Sequence, residues 1–541
     1  MGQRSPAPAM RLGALVLLFT LFGATLPVAA QDSASPLTTD APAAAETAAE
    51  KFNVWEYRVL GTRVLPAKVV EKALYSRLGP GKTIGDVEQA RLALETVYRN
   101  AGYSTVFVDI PEQTVESGIV RLNVTEGKLD RVRVTGARYF SNRQILARLP
   151  SLESGQVPHF PDVQRELTAL NRVTPDRSVT PVLRAGRAPG TVDIDLKVKD
   201  DSPFHGNVEV NDRYTADTTK LRTSAVLSYD NLWQKAHSFS LQYQTSPQDH
   251  NEVKVLAGTY VARLDRAMLA LYAVKSDSDV ATVGTLSVLG KGKIFGVRGI
   301  LPLDGIGPYY HSFTVGIDAK HFDEDIRLTA EDGIATPITY VSWSASYGFG
   351  WTQPKSTSDF SVGAVWGLRG FGNDDGEFEN KRFKARGNFA YLSGSGSHSR
   401  QVFGSSRFVT RFGWQFSNMP LISNEQFTAG GATSVRGYLE AERLGDLGAS
   451  LSLEFHSPSL VKSERISDLH FFGFIDAASL RLEEPLPGQD RVNRLESAGA
   501  GFRFTGYNGL KADIDWARVL RDGAHVLDGD DRVHFRINYG F

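Results

Sequence analysis

The sequence predicts two small α+β modules followed by a 16-stranded antiparallel transmembrane β-barrel. Three observations lead there. The order strand–helix–helix–strand–strand occurs twice between residues 52 and 200. After Pro203 the helical period gives way to alternation in segment after segment. An export signal stands at the N-terminus, and no later run of 18 uncharged apolar residues follows it. Composition agrees, since the 541 residues include 51 Gly, 30 Phe and 18 Tyr against 4 Met, a bias toward strands and turns. Composition also excludes function classes. The balance of 60 Lys and Arg against 61 Asp and Glu leaves no broad basic footprint for nucleic acid. The absence of Cys excludes a disulfide scaffold, a thiol nucleophile, a Cys zinc site and an iron–sulfur cluster.

Residues 1–30 have the layout of a secretory signal peptide. Arg4 and Arg11 precede the apolar run Leu12–Leu26, which is shorter than the roughly 20 residues of a spanning helix. Val28, Ala29 and Ala30 form a small-residue cleavage site. Residues 31–51 are rich in Ala, Ser, Thr and Pro and bury too little surface to offset their ordering entropy, so a flexible segment is expected.

The first module is expected over 52–127 and the second over 128–200. In the first, FNVWEYRVLGTRVLP is a strand and Pro66 opens a helix. GPGK is a turn, and Thr83 with Asp86 caps a helix that presents Val87, Ala90, Leu94 and Val97 on one face. Two strands complete it. The second module repeats that order, with Ser141 as the cap of SNRQILARL and FPDVQRELTALNR as its second helix. His159 is expected to be a solvated loop residue, and Glu88, Arg91, Glu95, Asp162, Arg165 and Glu166 to form surface pairs on helices. Neither module carries catalytic chemistry. Each offers a strand edge to which an extended peptide can add through main-chain hydrogen bonds.

Residues 203–541 alternate. Phe239, Leu241 and Tyr243 oppose Ser240, Gln242 and Gln244, and Leu451, Leu453 and Phe455 oppose Ser452, Glu454 and His456. A soluble sheet alternates against a core, and a membrane barrel alternates between lipid and a wet lumen. The export signal, the number of strands and the polar side chains on face after face favour the barrel, which satisfies every backbone group in lipid. Sixteen segments are countable, the tenth near 383–396. An even count returns the C-terminus to the periplasm and puts every odd-to-even loop outside. The longest, 419–447, lies between the eleventh and twelfth strands. A barrel of this size leaves an aqueous bore unless something fills it.

That loop contains Val435-Arg436-Gly437-Tyr438, and the thirteenth strand contains Phe474, Asp476 and Ala478 in F-x-D-x-A. With these residues the chain resembles the two-partner secretion transporters, the haemolysin and filamentous-haemagglutinin exporters (TpsB type) of the Omp85 superfamily. That resemblance implies two POTRA modules, a VRGY motif in the sixth extracellular loop and F-x-D-x-G in the thirteenth strand, whose final Gly is Ala478 here. Parity agrees. Asp476 shares a face with Phe474, Phe472 and His470, while Leu469, Phe471 and Ile475 take the lipid side. A luminal carboxylate suits the planar fork of Arg436, and the pair would hold the loop in the bore. Residues 31–50 would span only about 30 Å as a helix, too short for a full plug with a linker. Phe541 closes the alternation of Phe535, Ile537 and Tyr539, which resembles the signal read by the outer-membrane assembly machinery and equally suits a last lipid-facing residue.

The resemblance implies a non-enzymatic transporter in the outer membrane of a Gram-negative bacterium, with its modules in the periplasm. Its cargo would be an unfolded, β-rich exoprotein with an N-terminal secretion domain. Other implied partners are the assembly machinery, outer-membrane lipid and lipopolysaccharide. Nucleic acid is not a partner, and a monomer is expected. An insertase of the same superfamily and a passive porin are the alternatives. There is no HExxH, GxSxG or P-loop, and the Gly370-x-Gly372 pair opens no helix. The acidic segments Asp374-Asp375 and Asp528-Gly529-Asp530-Asp531 could hold a divalent ion or repel lipopolysaccharide but are expected to be solvated outer loops, and His398, His456 and His470 have no metal-ligand spacing. No cofactor or metal is expected.

Overall fold

The computed structural model describes residues 51–541 except 116, 217, 279, 284, 285, 324, 328–332 and 462. The expected signal peptide and the segment 31–50 lie outside the described residues.

The first module packs helices Ala67–Tyr75 and Ile84–Asn100 on a three-stranded sheet. Its central strand, Ile119–Glu126, lies parallel to Glu56–Leu60 and antiparallel to Val106–Asp109. Residues 128–200 repeat the scheme. Helices Asn142–Ala147 and Phe160–Arg172 cover a sheet whose centre, Thr191–Asp200, lies parallel to Lys128–Thr135 and antiparallel to Arg177–Ala185. Each unit has its own core, around Val87, Leu94, Tyr98 and Leu122 in one and Ile145, Leu167, Leu170 and Leu196 in the other.

The Thr83 side chain accepts from the Asp86 amide and the Asp86 carboxylate accepts from the Thr83 amide, a reciprocal cap that starts the long helix. Several local expectations change. FNVWEYRVLGTRVLP is two strands, Phe52–Val54 and Glu56–Leu60. GPGK is a strand, not a turn, because Gly79–Lys82 pairs with Phe52–Val54 and gains ladder bonds that a turn would lack. Tyr98, rather than Val97, is the fourth buried residue of the long helix. Ser141 stands at the N-cap but its side chain makes no cap bond, and its amide donates to Gln234 of the barrel at 2.9 Å. Glu166 bonds Ser151 instead of a neighbouring cation. His159 is not a free loop residue. Its Nδ1 lies 2.7 Å from Asp162 and its ring 5.2 Å from that of Tyr103, where the second module meets the first.

Sixteen antiparallel strands close into one barrel, from Phe204–Asn211 through Arg222–Leu232 to Asp531–Gly540, which pairs back with the first. Outward side chains form an exposed apolar band that includes Phe239, Leu241, Tyr243, Phe471 and Ile475. Water would reject so large an apolar surface, and lipid accepts it. Tyr309 and Trp351, their rings 5.9 Å apart, lie at one end of the seventh and eighth strands, as an interfacial aromatic girdle does. No described helix is long and apolar enough to cross a membrane.

The bore differs from the wholly wet lumen that alternation implies. Val255, Val274, Ile294, Phe322, Ile338 and Tyr340, on the fourth to eighth strands, face inward and form a buried apolar cluster. Their partners are Phe378 and Phe389 of the loop between the ninth and tenth strands, and Leu421 and Ile422 of the inward loop. The tenth strand therefore starts at Ala390 rather than near 383, because the preceding residues are folded into the bore mouth around helix Asp375–Lys381. Asp374 caps that helix through the Gly376 amide, and Asp375 accepts from the Gly387 amide. This acidic pair shapes the loop instead of being merely solvated.

Candidate functional site

The segment between the eleventh strand, Arg407–Phe416, and the twelfth, Leu447–His456, turns back into the barrel and is held at its stem and its tip. At the stem, Asp446 is fully buried. Its carboxylate takes two bonds from Arg382, at 2.5 and 2.7 Å, and the amides of Leu421 and Glu483 at 2.8 and 2.7 Å. Nearby, Glu425 accepts from Lys320, Tyr340 and Tyr391 at 2.6, 2.5 and 2.9 Å. These contacts tie both roots of the loop to the wall and to helix Asp375–Lys381.

The tip is built on Arg436, only 3% exposed, against the thirteenth strand, Ile466–Arg481. Its Nε and Nη2 donate to the two oxygens of Asp476 at 2.7 and 2.8 Å, and its amide adds a third bond at 3.1 Å. Nη1 lies 2.7 Å from Glu454 and Nη2 donates to Ser452 at 3.1 Å, both on the twelfth strand. The guanidinium lies over the Phe474 ring, 3.5 Å from its centroid. The fork thus directs Nε and Nη2 at Asp476 and Ser452 and sets Nη1 against Glu454, a division that a planar guanidinium offers and an ammonium does not. Around it Arg411 pairs with Glu454, and Arg503 pairs with Asp515 and lies over Phe472. The cations Arg411, Arg436 and Arg503 are matched by the carboxylates Glu454, Asp476 and Asp515. Such pairing offsets the desolvation of buried charge but yields little net stability relative to an apolar fill. What it does supply is one defined position for the loop.

The neighbours of Arg436 complete the seat. Gly437 has φ +94°, and a Cβ there would lie 3.1 Å from Val519 Cγ2 and 3.3 Å from Ala517 Cβ. Its amide donates to His534 Nε2 at 3.0 Å. Tyr438 is buried, and its hydroxyl donates toward the carbonyls of Arg521 at 2.6 Å and Glu496 at 3.0 Å. Val435 packs with Ala478, Leu480, Leu495 and Val519. Ala478 keeps ordinary strand pairing with Ser450 and Leu495, so the methyl that replaces the family glycine is accommodated within the cluster.

Parity on the thirteenth strand puts Phe472, Phe474, Asp476 and Ala478 inside and Phe471 and Ile475 outside. Sequence reasoning missed Ser452, Glu454, Asp515 and His534 at the tip, and Glu425 and Asp446 at the stem. Glu454 and His534 carried a usable signal, since each is an ionisable residue on the luminal parity of its strand. At the C-terminus, Ile537, Tyr539 and Phe541 are exposed on the outer face, Phe535 is half-buried, and Phe541 exchanges two 2.9 Å backbone bonds with Gly206. His456 and His470 lie together in the bore, Nδ1 to Nε2 at 2.9 Å, between Glu454 and Asp468. Asp176, His205 and Asp230 bring one ligand atom each within 4.8 Å of one another. His205 Nε2 lies 3.2 Å from Asp176 and 3.5 Å from Asp230.

Two family models match the chain. One is the POTRA domain of ShlB type, over residues 52–127, and the other is the haemolysin secretion/activation protein ShlB/FhaC/HecB, over residues 335–504. The heme/hemopexin transporter protein HuxB of Haemophilus influenzae (strain 86-028NP) is 21% identical over 85% of this chain and 82% of its own. The outer membrane transporter CdiB of Dickeya dadantii is 25% identical over 25% of this chain and 24% of its own. Among solved structures, CdiB from Escherichia coli superposes with a TM-score of 0.61 at 19% identity and covers 94% of both chains.

Proposed function

We propose that the chain, which matches the ShlB-type POTRA domain and the haemolysin secretion/activation family and is similar to outer-membrane transporters, exports one unfolded, β-rich exoprotein through its own barrel, with its POTRA structure on the periplasmic side. The inward loop is the gate, and Arg436 on Asp476 is its catch. One observation carries this reading. A loop with a nearly fully buried guanidinium, bonded to both oxygens of a luminal carboxylate, crosses a bore that a conducting path would need. A passive pore has no use for such a seat.

Residues 128–200 act as a second POTRA module, on the strength of their shared sheet order with the first. Capture falls to the first module. Its strand Glu56–Leu60 is an open sheet edge beside helix Ala67–Tyr75, over a groove of about 610 Å³ lined by Tyr57, Val59, Val70 and Leu74. Trp55 and Tyr75 stand at its rim, 58% and 78% exposed. An extended cargo segment would add to the edge and place alternate apolar side chains in the groove. The periplasm holds no ATP, so refolding of the cargo outside supplies the direction. The outward alternation ending at Phe541 serves recognition by the assembly machinery, and the working unit is a monomer.

Co-expression with candidate exoproteins in a host lacking such transporters tests the reading. One exoprotein is expected to reach the surface only when the full chain is present. Export of none, together with a steady large conductance in planar bilayers, would overturn it in favour of a porin.

A further inference from the structure

We propose that the inward loop is also the latch of the barrel's closing seam, and that His534 is the residue that positions it. The first and last strands pair at five positions, from Asn207 opposite Gly540 to Asn211 opposite Arg536, whereas the first and second pair at eight. Beyond Arg536, residues Asp531–Phe535 continue outward along the fifteenth strand, Leu510–Val519, alone. That leaves a strand edge whose polar groups need other partners.

The partners come from residue 212 onward and from the loop. Asp212 imitates a strand neighbour, since its carboxylate accepts from the Phe535 amide at 2.8 Å and its own amide donates to the Phe535 carbonyl at 3.3 Å. His534 faces the bore between this pair and the loop. Its Nε2 accepts from the Gly437 amide at 3.0 Å, and its Nδ1 lies 3.2 Å from the other Asp212 oxygen. Accepting from the Gly437 amide requires Nε2 to be bare, which puts the ring proton on Nδ1; that nitrogen lies beside Asp212 without making a hydrogen bond to it. Two residues past Tyr438, the Glu440 amide donates to the Tyr214 carbonyl at 3.1 Å. The loop therefore bridges the strand that bears Asp476 to both sides of the seam. Its withdrawal removes the Gly437 and Glu440 contacts together and leaves the outer half of the seam with Asp212 alone. The assignment rests on this geometry and not on the export role of Arg436.

Hydrogen exchange on the full-length transporter in lipid nanodiscs, without exoprotein, tests it. In His534→Ala the amides of 207–212 and 535–540 are expected to exchange about tenfold faster than in the unaltered chain, with the third and fourth strands unchanged. His534→Gln keeps an oxygen that can accept from Gly437 and is expected to stay within about twofold. Unchanged seam exchange in His534→Ala, equal acceleration in the third and fourth strands, or a Gln variant that behaves like Ala would each overturn the latch. Should His534→Ala fail to assemble, His534→Leu, which fills the site without offering an acceptor to Gly437, is read by the same criteria. Because no exoprotein is present, failure here is distinct from failure of the export reading.

Discussion

Arg436→Ala removes the cation at the centre of the luminal charge cluster. Glu454, 2% exposed, retains Arg411, but Asp476, 1% exposed, loses both guanidinium bonds and keeps only the amide of residue 436. Breaking a buried pair on one side costs about 3–5 kcal/mol. At about 1.4 kcal/mol per decade, the seated loop loses a factor of about 10² to 4 × 10³ in occupancy relative to displaced positions. The barrel stays folded without that contact, since the backbone ladders of its sixteen strands, including the five pairs between the first and the last, do not involve the loop, which braces only the outer half of the seam. The variant is therefore expected to reach the outer membrane with unchanged heat-modifiable mobility on gels. Its planar-bilayer traces are expected to be open more often, and exoprotein in the medium to fall below about a tenth, because an unpinned loop no longer switches between defined positions. Asp476→Asn keeps an acceptor oxygen and loses the charge, so its defect is milder, about 1–2 kcal/mol. Normal export by Arg436→Ala would refute the assignment of the catch.

Gly437→Ala combines a left-handed backbone with a Cβ 3.1 Å from Val519 Cγ2, and is expected to destabilise the seated loop by about 1–2 kcal/mol, seen as more frequent openings in planar bilayers, though fewer than Arg436→Ala gives. Asp446→Ala leaves Arg382 in the bore mouth with only the carbonyls of Leu421 and Glu483 and is expected to cost about 3 kcal/mol, with surface protease cutting within 417–446 as the readout. In the periplasmic modules, a hydrogen bond from His159 is the main cause that holds the Asp162 carboxyl below its ordinary value, with Arg165 adding to it. The folded value lies below the unfolded one, so this contribution to stability is present above the ordinary carboxylate range, about pH 4, and is lost as the pH falls through the folded value. In His159→Ala the Asp162 carboxyl is expected to titrate closer to its ordinary value by NMR.

Strands with strict alternation were legible residue by residue. Ser238–Gln244 and Ala449–His456 fall inside observed strands, and Asp476 faces the bore as parity requires. What escaped was whatever depends on a distant partner. Gly79–Lys82 has turn composition and becomes a strand only because Phe52–Val54 lies beside it. Val255 and Ile338 sit on luminal positions that alternation reserves for polar groups, and they are apolar because Phe378 and Leu421 are brought to them by loops. The inward Arg was visible from its motif, yet its second carboxylate, Glu454, and the imidazole of His534 are separated from it by 18 and 98 positions in the chain. Only the closed barrel brings them to one point.

Because the chain contains no Cys, a single engineered pair can tie the loop to the wall without background. Val435 and Ala478 share one buried cluster, one on the loop and one on the thirteenth strand. With Val435→Cys and Ala478→Cys oxidised in living cells, exoprotein export is expected to stop, and to resume on reduction with the barrel intact throughout. Undiminished export while the disulfide is fully formed would contradict the claim that the seated loop must leave its place for cargo to pass.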